Sequence, residues 1–278
     1  MNIFDLITRL WSNHQAVPSF NFTTADVALT AAKKVKEKKH YCLLSTSERE
    51  LTFQTMEVVT GIVRGLKNQG YPVLLNLDHG KSIDIIAKAI SSGYDCIHFD
   101  GSHLPLEENI KQTKEIINQA KEKHISVEGE VGVIGGASKI SDETMGKSIL
   151  TDPEEAIRYV KETNVNLLAC SFGSYHGLSN LDKKLNVKIL DEISSQTRIP
   201  FVLHGGSGIA KDEIARALQH GVIKINFNTE LRLAWSNGIK DYQKNNPQDI
   251  IPVNILEYAD SIVAKVLEEK INLCLNTN

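Results

Sequence analysis

Asp78 and His79 stand side by side after the apolar run Leu74 to Leu77, and Gly80 follows them. An aspartate can take up or return a proton, and a neutral imidazole can hold a metal ion. A core strand that ends in both is a candidate for chemistry as well as for packing. The pattern recurs along the chain. Asp100 closes the run 95–100, with Ser102 and His103 just beyond it, and Glu128 and Glu130 lie in 125–131. His176 follows 165–172 in "SYHG", and His204 closes "PFVLH". One such histidine, taken alone, reads as a cap or a hydrogen-bonding group. Three of them, His79, His176 and His204, each at the end of an apolar run and followed by glycine, read as a zinc site with its fourth position left open for substrate.

A second constellation is rich in small residues. "HGGSG" at 204–208 and "NFNTE" at 226–230 each follow an apolar run. Backbone N–H groups in a glycine-rich turn, together with a helix N-terminus, bind phosphate. Ordinary turn and N-cap chemistry at Ser207 and at Asn228 or Thr229 is the alternative. A metal beside a phosphate, with an aspartate next to a metal histidine, suits reversible carbon–carbon bond formation on a sugar phosphate.

These groups must be carried by something that brings them together. Strand-like runs fall at 16–22, 40–45, 72–78, 95–100, 125–131, 165–172, 200–205 and 222–227. Amphipathic segments follow at 24–38, 50–68, 82–92, 107–123, 152–163, 185–196, 211–220 and 229–244. Strict alternation without a composition break predicts an α/β fold, a (β/α)8 TIM barrel in one domain over 1–278. An amphipathic helix precedes it and a helix at about 254–272 extends it. The alternative is an open doubly wound sheet, but no GxGxxG or P-loop follows any strand. In a parallel barrel the strand C-termini converge on one face. His98 lies within its strand and reads as core or as support. His103 could brace the site, while His14, His40, His124 and His220 read as structural or exposed. The longest irregular stretch, 132–151, has the length of a lid.

Composition narrows the partners. The 278 residues carry a formal net charge of -3, and the pI is about 6.3. No basic field points to nucleic acid. Lys33, Lys34, Lys36, Lys38 and Lys39 share a helical segment and read as its solvated face. No apolar run reaches the ~18 residues of a membrane span. Asp5 interrupts the first apolar stretch, which reads as a helix and not as a signal peptide. Four well-separated cysteines without a CxxC suggest reduced thiols and a cytoplasmic setting.

The motifs "AVPSFN", "LDHGKS", "AKAISSGY", "FDGSHLPLEEN", "VEGEVG", "SYHG", "VLHGGSGI" and "KINFNTE" together resemble the class II, metal-dependent ketose-bisphosphate aldolases. The resemblance runs through most of the chain and implies the barrel on its own account. It implies Asp78 as the catalytic proton donor and His79, His176 and His204 as ligands of one catalytic Zn2+. Gly177, Gly205, Gly206, Ser207, Asn226, Phe227, Asn228 and Thr229 match residues that hold the dihydroxyacetone phosphate half, and Asn21 a substrate-side asparagine. Asp100 and Glu130 match acids that either hold a second, movable cation or orient the histidines. The second cation would be divalent or monovalent. The expected substrate is a ketose 1,6-bisphosphate, cleaved to dihydroxyacetone phosphate and glyceraldehyde 3-phosphate, and the expected assembly is a homodimer or homotetramer.

Three stretches depart from the family pattern. After Gly135-Gly136, where the family usually has an acidic loop with a proton-abstracting glutamate, this chain has Ala137, Ser138 and Lys139. The nearest acids are Asp142 and Glu143, candidate bases on a lid. Arg49 stands where smaller residues are usual and could meet a distal phosphate. "GLSNLDKK" after His176 lacks the usual aromatic-plus-basic pattern. The expectation is an active aldolase with an altered far end, against a non-catalytic protein that keeps zinc and phosphosugar binding.

Overall fold

The computed structural model describes residues 1–140, 149–178 and 183–276. Eight parallel strands close into a barrel: β1 (Val17–Asn21), β2 (Cys42–Thr46), β3 (Val73–Gly80), β4 (Cys96–Phe99), β5 (Ser126–Val131), β7 (Leu167–Cys170), β9 (Phe201–Leu203) and β10 (Val222–Phe227). The expected (β/α)8 fold is therefore present. β1 pairs with β10 as well as with β2, which closes the ring. Two short strands, β6 (Gly136–Ile140) and β8 (His176–Leu178), form a separate parallel pair above it. Neither segment carries a strand pattern in the sequence. Their pairing is long-range, so no local pattern announces it.

The helices are α1 (Ile3–Ser12), α2 (Ala25–Glu37), α3 (Glu48–Gln54), α4 (Met56–Asn68), α5 (Ile83–Ser92), α6 (Leu106–Lys121), α7 (Pro153–Thr163), α8 (Lys188–Thr197), α9 (Lys211–Gln219), α10 (Thr229–Asn245) and α11 (Pro252–Leu275). The single helix expected over 50–68 is two, broken at Thr55, whose φ of 65° no helix accommodates. α3 starts with a capping box, in which Glu50 reaches back to the backbone N–H of Ser47. Among the described residues, no helix is long and apolar enough to cross a membrane.

Two apolar clusters account for the packing. The larger fills the layer between sheet and helices with residues such as Phe20, Leu44, Leu75, Ile97, Leu168 and Phe227. The smaller occupies the floor of the barrel, where Val17, Leu43, Leu74, Leu167, Val202 and Ile223 meet Ile3, Leu6, Ile7 and Leu10 of α1. The spacing of those four along α1 puts them on one helical face. Asn2 holds the start of the helix by accepting the N–H of Asp5. The extra N-terminal helix is thus the plug of the barrel.

Above the apolar floor the interior turns polar. Ser19 and Ser45 hydroxyls are 2.7 Å apart, and Asn76 donates to Ser45. Lys224 Nζ lies 2.5 Å from Glu128 Oε2 and 3.5 Å from Asn76 Oδ1. These five residues and His98 are fully or almost fully buried. This middle layer separates the packed floor from the functional rim.

Candidate active site

Asp78 and His79 reach the rim through an irregularity in β3. Leu77 pairs with Ile97 and Gly80 with Phe99, so β3 has one residue more than β4 across this span. In a regular strand, neighbouring side chains point to opposite faces. The bulge lets Asp78 and His79 both turn to the site, and bulges are favoured next to active sites for that reason. Its cost falls on His79, whose φ of 51° lies in the left-handed region. Gly80 contributes by close approach, not by positive φ. A Cβ there would lie 2.8 Å from Leu77 Cδ2 and 3.1 Å from the carbonyl of His98.

The Asp78 carboxylate accepts hydrogen bonds from Asn21 Nδ2 at 3.0 Å and from Asn226 Nδ2 at 2.8 Å. Burial opposes its ionisation, but the imidazoles of His79, His98 and His204 and the ammonium of Lys224 outweigh burial. They hold the carboxyl well below its ordinary value. Asp78 is therefore an ionised carboxylate fixed at both oxygens.

Four imidazoles cluster beside it. Ring centroids are 4.6 Å apart for His79 and His204, 5.0 Å for His79 and His176, and 5.9 Å for His176 and His204. His98 lies 4.7 Å from both His79 and His204. By the closest approach of donor atoms alone, Asp78, His79, His98 and His204 form one group able to hold a metal, and His79, Asp100 and Glu130 another. The hydrogen bonds favour a different set. His98 Nδ1 accepts the backbone N–H of His79 at 3.1 Å, and its Nε2 faces Glu130 Oε2 at 3.1 Å. Nδ1 of His98 is thus engaged by the backbone, while its buried Nε2 lies close to the Glu130 carboxylate without a hydrogen bond to it.

The other three use their nitrogens differently. His204 Nε2 lies 2.7 Å from Glu128 Oε1, and its Nδ1 faces the amide of Asn226 at 3.4 Å. A carboxylate accepts, so Nε2 carries the proton, and Nδ1 accepts only the long contact from the Asn226 amide, which a metal would have to displace. His79 Nδ1 lies 3.3 Å from Asp100 Oδ2, which leaves its Nε2. Burial, with His79 and His204 nearby, lowers His176 to about 3 and keeps it neutral. Burial likewise lowers His204. Three clustered imidazoles, two of them oriented by carboxylates, fit a divalent ion such as Zn2+. Asp100 is itself held by Ser102 Oγ at 2.6 Å and by Lys81 Nζ at 3.3 Å.

The cavity in front of these groups measures about 220 Å³. Asn21, Arg49, Asp78, His79, His176, Gly177, Gly205, Ser207, Asn226, Asn228 and Thr229 all line it, so the fold brings together most of the residues the sequence singled out. Four buried polar atoms among them, Asn21 Oδ1, Ser207 Oγ, Asn226 Oδ1 and Asn228 Oδ1, have no protein partner. Buried polar atoms without partners ordinarily mark a place for a ligand, ion or water. Thr229 opens α10, whose N-terminus thus meets the same cavity. Gly206 and Phe227 are not among the lining residues. Phe227 packs its ring against Phe20 at 6.2 Å, on the outer face of the sheet. Asp100 and Glu130 stand behind His79. His103 is exposed. Asp142 and Glu143 lie outside the described residues.

Several contributors went unnoticed in the sequence. Ser47 and Arg232 line the cavity with Arg49, and Arg232 reaches Glu50 at 2.5 Å. Lys224 carried a signal, a lysine inside the apolar strand "VIKINF". Lys183, in "LDKK", carried none.

The profile described as "Fructose-bisphosphate aldolase class-II" matches residues 1–278. The chain is 34% identical over 270 residues to a 6-phospho-5-dehydro-2-deoxy-D-gluconate aldolase of Bacillus licheniformis, covering 96% of this chain and 91% of that one. It is 33% identical over 289 aligned positions to a fructose-bisphosphate aldolase of Mycoplasma pneumoniae, covering 100% and 99%. Among solved structures, the YdjI aldolase of Escherichia coli K12 superposes with a TM-score of 0.84 at 26% identity, over 98% of this chain and 96% of that one.

Proposed function

Since the chain belongs to the class II fructose-bisphosphate aldolase family, we propose that it catalyses reversible aldol cleavage of a phosphorylated ketose or keto sugar acid. The products would be dihydroxyacetone phosphate and an aldehyde that bears its own anionic group. The observation that carries this reading is a cavity lined by an ionised Asp78, His79 and His176, with His204 buried directly behind them.

His79, His176 and His204 are the proposed metal ligands. A divalent ion held there would supply Lewis-acid polarisation of the substrate carbonyl. The chain's own groups account for the proton. In cleavage, Asp78 accepts the proton of the hydroxyl on the carbon that becomes the aldehyde. The oxygen's electron pair forms the new C=O bond, the adjacent carbon–carbon bond breaks, and its electrons move to the dihydroxyacetone phosphate half, which takes up one proton on carbon from solvent to complete that product. In condensation Asp78 returns the proton. Asn21 and Asn226 hold the carboxylate in place for both directions. Gly177, Gly205, Ser207, Asn228 and Thr229 would take the phosphate, with the start of α10 favouring its charge.

Arg49 shapes the far end. It lines the cavity and has no ion-pair partner among the described residues, whereas Arg232 is tied to Glu50. A free guanidinium suits a carboxylate or a phosphate, either of which it can grip with two N–H groups. The relatives' names include both a bisphosphate and a phosphorylated gluconate, each anionic at two ends.

The test is a cleavage assay of the metal-loaded protein across ketose monophosphates, ketose bisphosphates and phosphorylated keto sugar acids. Cleavage is expected for substrates anionic at both ends. Arg49→Gln should raise KM for these and leave monophosphates unchanged. Asp78→Ala should lower kcat by about 10² to 10⁴-fold while metal stays bound. Metal and dihydroxyacetone phosphate binding without cleavage of any of them would favour a non-catalytic phosphosugar-binding role.

A further inference from the structure

The ammonium of Lys183 lies in a ring of backbone carbonyls. Nζ is 2.8 Å from the oxygen of Tyr175, 2.8 Å from that of Gly177, 3.0 Å from that of Gly205 and 2.6 Å from that of Ser207. The residue is 4% exposed, and Nζ stands 4.5 Å from the centre of the Tyr175 ring. An ammonium has three protons, so four carbonyls exceed its directed bonds. The arrangement is that of a compact cation among carbonyl dipoles, the donor set that a dehydrated potassium ion also takes.

The four carbonyls belong to two loops. Tyr175 and Gly177 flank His176, while Gly205 and Ser207 follow His204. Gly177, Gly205 and Ser207 also line the cavity. The loops touch closely, since a Cβ on Gly205, whose φ is 63°, would collide with the carbonyl of Tyr175. Two sets of carbonyl oxygens facing one another across such a contact repel unless a positive charge lies between them. Burial lowers the lysine to about 8, with Glu230 acting the other way, so the cationic form prevails at neutral pH.

We propose that Lys183 is a built-in monovalent cation, a positioning residue that clamps the loops of His176 and His204 together and turns their backbone toward the phosphate. Carbonyls drawn to the ammonium fix the peptide planes of both loops, and with them the spacing of the two imidazoles. The positive charge also lies behind the residues that would hold the phosphate. The chain therefore needs no inorganic monovalent ion to assemble its site. This rests on the aldolase reading for the identity of the phosphate ligand, but the clamp itself rests on the carbonyl cage.

The experiment measures two affinities in chloride salts of tetramethylammonium, potassium and ammonium at equal ionic strength. One is for Zn2+, by chelator competition; the other is for dihydroxyacetone phosphate, by calorimetry on the metal-loaded protein. Wild type should give the same values in all three salts. Lys183→Met should weaken both ligands by about 10-fold or more in tetramethylammonium, the size expected when support behind a ligand is lost. Potassium or ammonium ions, entering the emptied cage, should restore most of the loss. A variant equal to wild type in every salt would overturn the proposal. So would a loss that neither ion rescues in a folded variant, because that is what a purely structural side chain predicts. If Lys183→Met does not fold, the wild-type arm still decides, since a requirement for potassium in wild type is incompatible with an internal cation. Failure of wild type to bind dihydroxyacetone phosphate would remove the aldolase reading and leave the Zn2+ affinities to judge the clamp.

Discussion

At the scale of single residues, His98 and His176 exchange the places that distance alone would give them. His98 is nearer the centre of the cluster, but its Nδ1 accepts a backbone N–H and its Nε2 is turned to the Glu130 carboxylate, away from the cavity lining. His176 is farther from His204 and is neutral. Metal binding requires an unshared, deprotonated nitrogen. His176→Ala should therefore lose stoichiometric Zn2+. His98→Gln should retain it with affinity lowered by about 10 to 100-fold, as for groups that orient ligands. Metal analysis after dialysis and chelator titration separate the two. Full Zn2+ occupancy in His176→Ala would exclude it as a ligand and return His98 to that role.

At the scale of elements, the barrel strands are tied through the middle polar layer. Lys224 on β10 reaches across to Glu128 on β5, which also holds His204 at the end of β9. Burial opposes the ionisation of Glu128, but Lys224, His98 and His204 overcome it and depress its pKa. Removing one partner of a buried pair leaves the other charge uncompensated. Glu128→Gln should cost about 3–5 kcal/mol of stability at neutral pH, and a second change, Lys224→Met, should recover much of it. The sign with pH follows from the depressed value. The contribution is fully present above the unfolded carboxyl pKa of about 4.3 and fades as pH falls through the lower folded value. The gap between wild type and Glu128→Gln in denaturant titrations should narrow in strong acid. A gap that widens there would show that Glu128 is not held ionised.

At the scale of the whole molecule, the barrel has a stable end and a working end. The floor is apolar and closed by α1, and the rim carries the titratable groups and the cavity. Such a division lets stability and chemistry vary separately. Leu6, fully buried in the floor, tests it. Leu6→Ala should lower the unfolding free energy by about 2–5 kcal/mol, while Zn2+ affinity stays at the wild-type value. Equilibrium unfolding and metal titration on the same variant make the comparison. A marked loss of affinity would mean that the floor and the rim are mechanically coupled.

The fold, and the candidate groups that it brings to one rim, were legible because they depend on local pattern. Alternating apolar runs and amphipathic segments marked all eight barrel strands, and polar residues at the ends of buried runs marked Asp78, His79 and His204. The stripe of α1 was equally plain, though not that it plugs the barrel. What tertiary structure decided depends on contacts between distant segments. The bulge that turns both Asp78 and His79 inward exists only because β3 must keep register with β4. The short sheet of β6 and β8 forms from two segments that lie far apart in the chain and show no strand pattern of their own. Whether an imidazole is a ligand or a support depends on which of its nitrogens the surrounding carboxylates and amides occupy, and those partners come from other strands. Lys183 is the extreme case. In sequence it is one of two adjacent lysines in a polar stretch, and only the meeting of the loops after β7 and β9 places four carbonyls around its charge.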